Sequence, residues 1–405
     1  MSEKNNIPQI RFKEFEGKWK SAEMNKVAEF SKGHSYSKKD LVKEGKPIIL
    51  YGRLYTNYES TISDVDTFAI EKPGSKYSNG SEVIVPASGE TAEDIAIASV
   101  VLKPDIILGG DLNIIYPNEL IDSVFLALTI SHGKQHKELS KKAQGKSIVH
   151  LRNSDIKETT LFYTGKDEQS KIGTYFQNLD KLITLQQQKH DKLVTLKKAM
   201  LDKMFPKEGA DVPEIRFKGF AEVWEERKLG EISESYSGGT PSVGISEFYN
   251  GNIPFIRSAE INCNSTELYI TELGLRNSSA KLVNGGCILY ALYGATSGEV
   301  GRSKLEGAIN QAILAIKPST GIDAEFITQW LRKKKKVIIS TYLQGGQGNL
   351  SGSIVKNLNI NLPCFEEQSQ IGSYFQNLDK LISLHQQEIQ KLKNIKKACL
   401  EKMFV

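Results

Sequence analysis

The chain has 405 residues, 39% hydrophobic and 25% charged, with 53 Lys and Arg against 48 Asp and Glu and a net charge of +5. That length suits two domains with connectors, and the composition excludes a disordered chain. The apolar run VFLALTI at residues 124–130 is far too short to cross a membrane, and the opening MSEKNNIPQI lacks the apolar core of a signal peptide. The four cysteines (Cys263, Cys287, Cys364, Cys399) have no CxxC spacing. Neither a zinc site nor a disulfide framework is expected, and a reducing cytoplasm is.

In chain order, PQIRFKEF (residues 8–15) comes first, followed by Trp19. KPIILYGRLY, SEVIVPAS and GGDLNIIYP, within residues 46–117, have the length and patterning of strands. VFLALTISHGKQHKELSKKA (residues 124–143) reads as a helix. A second helix, EQSKIGTYFQNLDKLITLQQQKHDKLVTLKKAMLDKMF, begins at Glu168. In it Ile172, Phe176, Leu179, Ile183, Gln186, His190, Leu193, Lys197, Met200 and Met204 step by four and three, the seam of a coiled coil. No Pro or Gly interrupts it from Thr174 to Phe205, so it should run about 50 Å.

The pattern then restarts. PEIRFKGF (residues 213–220) and Trp224 match the first opener. GNIPFIRSAEI, GGCILYALYG and INQAILAIKP read as strands and DAEFITQWLRKKKKVIIS as a helix. From Glu367, EQSQIGSYFQNLDKLISLHQQEIQKLKNIKKACLEKMF aligns with the first long helix without a gap, at roughly two-thirds identity. Its seam is Ile371, Phe375, Leu378, Ile382, His385, Ile389, Leu392, Lys396, Cys399 and Met403. A helix this long with one apolar stripe needs a partner, and its duplicate is the simplest one. Between opener and helix the halves barely match, apart from an aromatic-Ser-x-Gly (Phe30–Gly33, Tyr236–Gly239) and a Gln-Gly.

The expected fold class is α+β: two mixed α/β modules separated by two long helices pairing as an antiparallel coiled coil, with an internal pseudo-two-fold repeat. The expected boundaries are an opener at 1–20, a first module at 21–167, a helix at 168–207, opener repeat and second module at 208–366, and a second helix at 367–405.

Catalytic constellations do not assemble. GKS at 145–147 needs a Gly at position 140 to form a phosphate loop, and Ser140 stands there. GGQGNLSG (345–352) has Ser351 where a dinucleotide loop needs its third Gly. An Asn/Asp-Pro-Pro-aromatic motif is missing, HExxH is missing, and the triplet at Asp155–Lys157 has no acidic partner in register. No catalytic residue and no metal ligand is assigned.

The EQxxIGxYFQNLDKLIxL helices, the PxIRFKxF openers, the SGGTPS loop (237–242), ASGETAEDIA (87–96), GGDLNI and QGKSIVHL together resemble the specificity subunit of type I restriction–modification systems, over essentially the whole chain. The resemblance implies that the modules are target-recognition domains and the helices conserved spacers. It implies a non-catalytic, cytoplasmic bacterial subunit that binds double-stranded DNA. Two modification subunits would bring S-adenosylmethionine and methylate adenine N6, and restriction subunits would add ATP- and Mg-dependent translocation and cleavage. No cofactor is expected on this chain. One departure stands out: Pro363 precedes the second EQ, but the first copy reads FYTGKDEQ, so a different junction is expected there.

Two different readers on a rigid spacer would read a two-part, asymmetric target with an unread gap. Base reading uses Arg or Lys for guanine, Asn or Gln for adenine, and small polar loops for close approach. In the first module the candidates are Lys32, His34, Tyr36, Lys38, Arg53 and Tyr55, the loop Ser88, Gly89, Glu90 and Thr91, and Lys141, Lys142, Gln144 and Lys146. In the second they are Ser237, Gly238, Gly239 and Thr240, Arg257, Tyr293, Thr296, Gln344, Gln347 and Asn349. The run RKKKK (332–336) suits either phosphate contacts or a solvated helix face. Two other readings compete. A coiled-coil interaction scaffold would bind no DNA sequence selectively. A methyltransferase or nuclease in its own right would bind S-adenosylmethionine as the isolated chain.

Overall fold

The computed structural model describes residues 6–145, 148–343 and 349–405. The chain divides into two compact units, Met1–Gln187 with Gln387–Val405, and Gln188–Gln386. Each unit holds one module together with half of each long helix.

The module of the first unit is built on a five-stranded sheet. Its order is Ala28–Lys32, Leu112–Pro117, Val83–Pro86, Ser99–Val101, Thr61–Ile62, antiparallel except for the last pair. A second five-stranded sheet carries Leu41–Val42, Phe68–Ala69, Lys46–Ile49, Pro104–Leu108 and Tyr77–Asn79. The second unit repeats the scheme with fewer strands. Ser233–Ser237, Ile313–Pro318, Ile288–Ala291 and Val300–Arg302 form one sheet, antiparallel throughout, and Leu268–Ile270, Tyr249–Ile256, Gly307–Ile309 and Lys281–Val283 form another, whose middle pair is parallel. The modules thus share a topology that their sequences hide.

Strand register also corrects the small motif match. Ala28 faces Pro117 and Ser233 faces Pro318, which sets Gly33 against Gly238 rather than Gly239. A Cβ at Gly33 would lie 1.8 Å from the Gly109 carbonyl oxygen, and one at Gly238 would lie 1.8 Å from that of Ile309. Both positions therefore require glycine, because two backbones meet there.

Several sequence expectations shift. Only Lys46–Ile49 of KPIILYGRLY is a strand, and Arg53–Thr56 is a helical turn. The helix expected over 124–143 is two, Ser123–Ser131 and Gly133–Lys142, because His132 is extended and Gly133 takes φ of 75°. The long helices run Lys166–Lys203 and Phe365–Lys402, 38 residues each, about 57 Å. Of their seam positions, Ile172, Phe176, Leu179, Ile371, Phe375, Leu378, Ile389 and Met403 are buried. Ile183, Leu193, Met200, Ile382 and Leu392 are partly covered.

Within each unit the two helix halves run antiparallel. In the first unit Lys396 pairs with Asp180, and Phe176 stacks on Phe404 with centroids 6.0 Å apart. In the second, Lys197 pairs with Asp379 at 2.5 Å, and Phe205 stacks on Phe375 at 6.1 Å.

The frame that joins module to helix recurs residue by residue. Arg11 makes a two-bond fork to buried Glu168 (2.6 and 2.7 Å), as Arg216 does to buried Glu367 (2.8 and 2.7 Å). The Gln169 amide oxygen accepts from Asp122 N, and that of Gln368 from Asp323 N. Those aspartates cap the module helices at Ser123 and Ala324. Trp19 packs on Phe125 as Trp224 packs on Phe326. The EQxxIG motif and the openers are thus two halves of one joint. The missing Pro changes little: Gln169 donates to the Thr164 carbonyl where Gln368 donates to that of Pro363, and the Thr164 hydroxyl adds a bond to Glu168.

Candidate nucleic-acid interface

In the first module the strand Ser88–Gly89 pairs with Val149–His150, and His150 bridges to Gln144 by two backbone bonds of 2.8 and 3.1 Å. Ser88 Oγ lies 3.2 Å from His150 Nδ1. In the second module the equivalent edge is Tyr293 bridged to Asn349, and Leu350 N donates to the Leu292 carbonyl at 2.9 Å. The two modules therefore bring chain segments distant in sequence together at corresponding places, with different side chains there.

A cavity of about 570 Å³ opens beside the first edge, lined by Lys38, Tyr51, Tyr55, Ser88, Gly89 and Glu90 among others. The Tyr55 hydroxyl donates to the Ser88 carbonyl at 2.8 Å, and its ring meets Tyr51 edge-on at 6.3 Å. Burial, then the nearby Asp94, raises the Tyr55 phenol above its ordinary value, so it stays a donor. The Thr91 hydroxyl donates to Asp94 at 2.6 Å, which fixes the loop end. Lys32, Lys38, Glu90, Thr91, Lys141, Gln144, Thr240 and Asn349 are exposed, and His34 and Thr296 partly so.

Other candidates are occupied internally. Tyr36 is a correction: it is 5% exposed, its hydroxyl lies 2.5 Å from Ser75 Oγ and accepts from Lys72 N, and it packs on Ile48 and Ile107. Arg53 is another. Its side chain is 13% exposed and engages Glu59 (2.7 Å), Asp66 (3.2 Å) and the Asp64 carbonyl. Arg257 is held by Glu260 (2.8 Å) and Glu267 (2.5 Å), and Lys142 by Glu158. Ser88, Gly89 and Gly239 are buried, while Ser237 and Gly238 are partly exposed. The Thr240 hydroxyl donates to Gln311 Oε1 at 2.6 Å. Lys146, Gln344 and Gln347 lie outside the described residues.

The run RKKKK is largely structural. Arg332 pairs with Asp379 at 2.9 Å, Lys335 pairs with Glu299, and Lys333 Nζ donates to the Phe205 carbonyl at the end of the first long helix. Sequence reading passed over His150, Tyr51 and Gln311. The pairing of Ser88 with residue 150 was not visible along the chain, although QGKSIVHL contains that histidine. It also passed over His132 and His136, four apart. The helix breaks between them, and His136 Nδ1 meets the Ala96 carbonyl oxygen at 2.8 Å. Burial, then His136 and Lys396, lowers His132 to about 4, so it is neutral at physiological pH. Among the described residues no three His, Cys, Asp or Glu side chains gather as a metal site, and no helix is long and apolar enough to cross a membrane.

Residues 16–195 and 221–394 each match the type I restriction modification DNA specificity domain. The chain is similar to the type I restriction enzyme MjaIX specificity subunit of Methanocaldococcus jannaschii, 28% identical over 193 residues, or 45% of this chain and 44% of that one. It is equally similar to the EcoR124I/EcoR124II specificity subunit of Escherichia coli, 28% identical over 176 residues, 41% of this chain and 43% of that one. These alignments span less than half the length of each relative. Among solved structures, the type I restriction–modification S subunit from M. genitalium shares the fold, with a TM-score of 0.66 and 16% identity over 98% of this chain and 99% of that one.

Proposed function

The chain belongs to the type I restriction modification DNA specificity family, and from that premise we propose that it is the non-catalytic subunit that reads a two-part, asymmetric DNA sequence and positions its partners on it. One observation carries this reading. The frame repeats residue by residue, while the edges it holds out, Ser88 and His150 in one module and Tyr293 and Asn349 in the other, differ. Equal frames with unequal edges suit two readers of unlike half-sites.

Each module enters one stretch of major groove with its edge, where Gln and Asn match adenine and Lys matches guanine. The long helices act as a ruler. About 57 Å corresponds to about 17 base pairs at 3.4 Å each, roughly one and a half turns, so the bases between half-sites go unread. The duplicated helices carry repeated exposed apolar positions, Leu182 with Leu381 and Leu185 with Leu384, on which two identical modification subunits would dock. Those subunits would carry S-adenosylmethionine and the adenine N6 chemistry, and restriction subunits the ATP- and Mg-dependent steps, in a bacterial cytoplasm.

The test is selection from a random duplex library by the full chain assembled with its modification subunits. Enrichment of one sequence in two blocks with a fixed gap is expected. Recovery of duplex without sequence preference would overturn the reading in favour of a scaffold.

A further inference from the structure

In the first unit a cavity of about 610 Å³ lies between the turn around Gly133 and the last turns of the second long helix. Lys137, Lys393, Lys396 and Lys397 line it, with His136 and a single carboxylate, Glu401. Lys396 is committed to Asp180. Lys137, Lys393 and Lys397 are exposed, and among the described residues none of them has an ion-pair partner. Positive charge converging on a concavity raises the local concentration of anions more than the same charge spread over a helix.

The comparable cavity of the second unit, about 510 Å³, is different. It holds Lys197, Arg302, Arg332 and Lys335, paired with Asp379, Glu325, Asp379 and Glu299, and Lys304, which has no ion-pair partner among the described residues. The second cavity pairs all but one of its cations internally, whereas the first pairs only Lys396 and leaves Lys137, Lys393 and Lys397 open. Lys137, Lys393 and Lys397 thus join no ion pair among the described residues, which leaves them for an anion from outside.

Position says which anion. His136 binds the carbonyl of Ala96, five residues beyond Thr91 at the end of the 88–91 loop. Five residues reach at most about 18 Å, and the major groove is about 12 Å wide with phosphates on both walls. A loop that enters the groove brings this cavity to the backbone beside it. We propose that the cavity holds backbone phosphate of the target DNA next to the first half-site, through Lys137, Lys393 and Lys397. This rests on the DNA-reading role above. It assigns those lysines to affinity and register, not to base choice.

The test uses the full chain assembled with its modification subunits, binding its selected duplex across a salt series. K137Q, K393Q and K397Q combined should make the slope of log K against log salt shallower by about 1 to 3, at ~0.9 for each phosphate no longer neutralised. The selected bases should stay the same. E401Q, which removes the one carboxylate without deleting a cation, should tighten binding, and it decides the matter if the triple variant fails to assemble by misfolding. An unchanged slope in a folded triple variant overturns the proposal. So does loss of bound modification subunit at unchanged slope, which would assign the cavity to an acidic protein surface. If the wild-type assembly selects no sequence, the DNA-reading role itself falls, and that control reports it separately.

Discussion

Glu260 shows how much a turn of the second module depends on a single buried charge. Its carboxylate accepts from Arg257 N (3.0 Å), Arg257 Nη2 (2.8 Å), the Thr266 hydroxyl (3.0 Å) and Glu267 N (3.1 Å), closing the turn after the strand Tyr249–Ile256. Burial favours the neutral acid, but these donors outweigh it and bring the carboxyl down from 4.5 to about 2. A depressed carboxyl contributes stability above its unfolded pKa, and that contribution is lost as pH falls from about 4.5 through about 2. E260Q should therefore destabilise the second module by about 1.5–3 kcal/mol at neutral pH. In urea unfolding across a pH series the gap from wild type should close as pH falls through that window, and a gap independent of pH would contradict the assignment. Sequence alone put Arg257 and Arg53 on the DNA surface because guanidinium suits guanine. It could not show that Glu260, Glu267, Glu59 and Asp66 fold back onto them, since pairing over such distances depends on turns that composition does not specify.

The long helices were legible because a four-three seam sustained from Ile172 to Met204 and from Ile371 to Met403 matches a long paired helix and no strand period. The short strands were less so. Sheets here use many strands of two to six residues, too short for a clear period, and the break at Gly133 needs a positive φ that a helical pattern does not reveal. The glycines inside the long helices have a reason visible only in packing. A Cβ at Gly372 would stand 2.6 Å from Asp323 Oδ1, the atom that caps Phe326 N, whereas one at Gly173 meets Val124 Cβ at 3.2 Å and Asp122 Oδ1 at 3.5 Å. Both changes to Ala gain the same helix propensity, so their difference isolates the cap. G372A should be less stable than G173A by about 1 kcal/mol, the usual cost of removing a cap; equal midpoints in thermal unfolding would refute this. The ruler is testable at the same scale. One heptad inserted at equivalent places in both long helices adds about 10 Å, which should lengthen the unread gap by about 3 base pairs. An unchanged gap with full methylation would contradict the ruler.

Across the whole molecule, the sequence showed duplicated helices and openers but hid a duplicated module. The strand order around Leu112–Pro117 recurs around Ile313–Pro318, although the side chains differ and the aromatic-Ser-x-Gly match was a residue out of register. Hydrogen-bonded strand order survives divergence that side-chain identity does not, so topology was legible only in three dimensions. The candidate interface was partly legible for the same reason. Ser88 and Gln144, and Tyr293 and Asn349, were chosen as loop residues, and the fold joins them through pairings no local pattern announces. If a common frame holds two independent readers, they should be exchangeable one at a time. The most direct measurement is a genome-wide map of methylated adenines in cells carrying this chain with its modification subunits, before and after residues 21–167 are replaced by the matching segment of a relative with another target. One block of the methylated sequence should change, while the other block and the gap stay as they were. Change in both blocks, or methylation without a two-part sequence in the unaltered chain, would contradict two independent readers on a common frame.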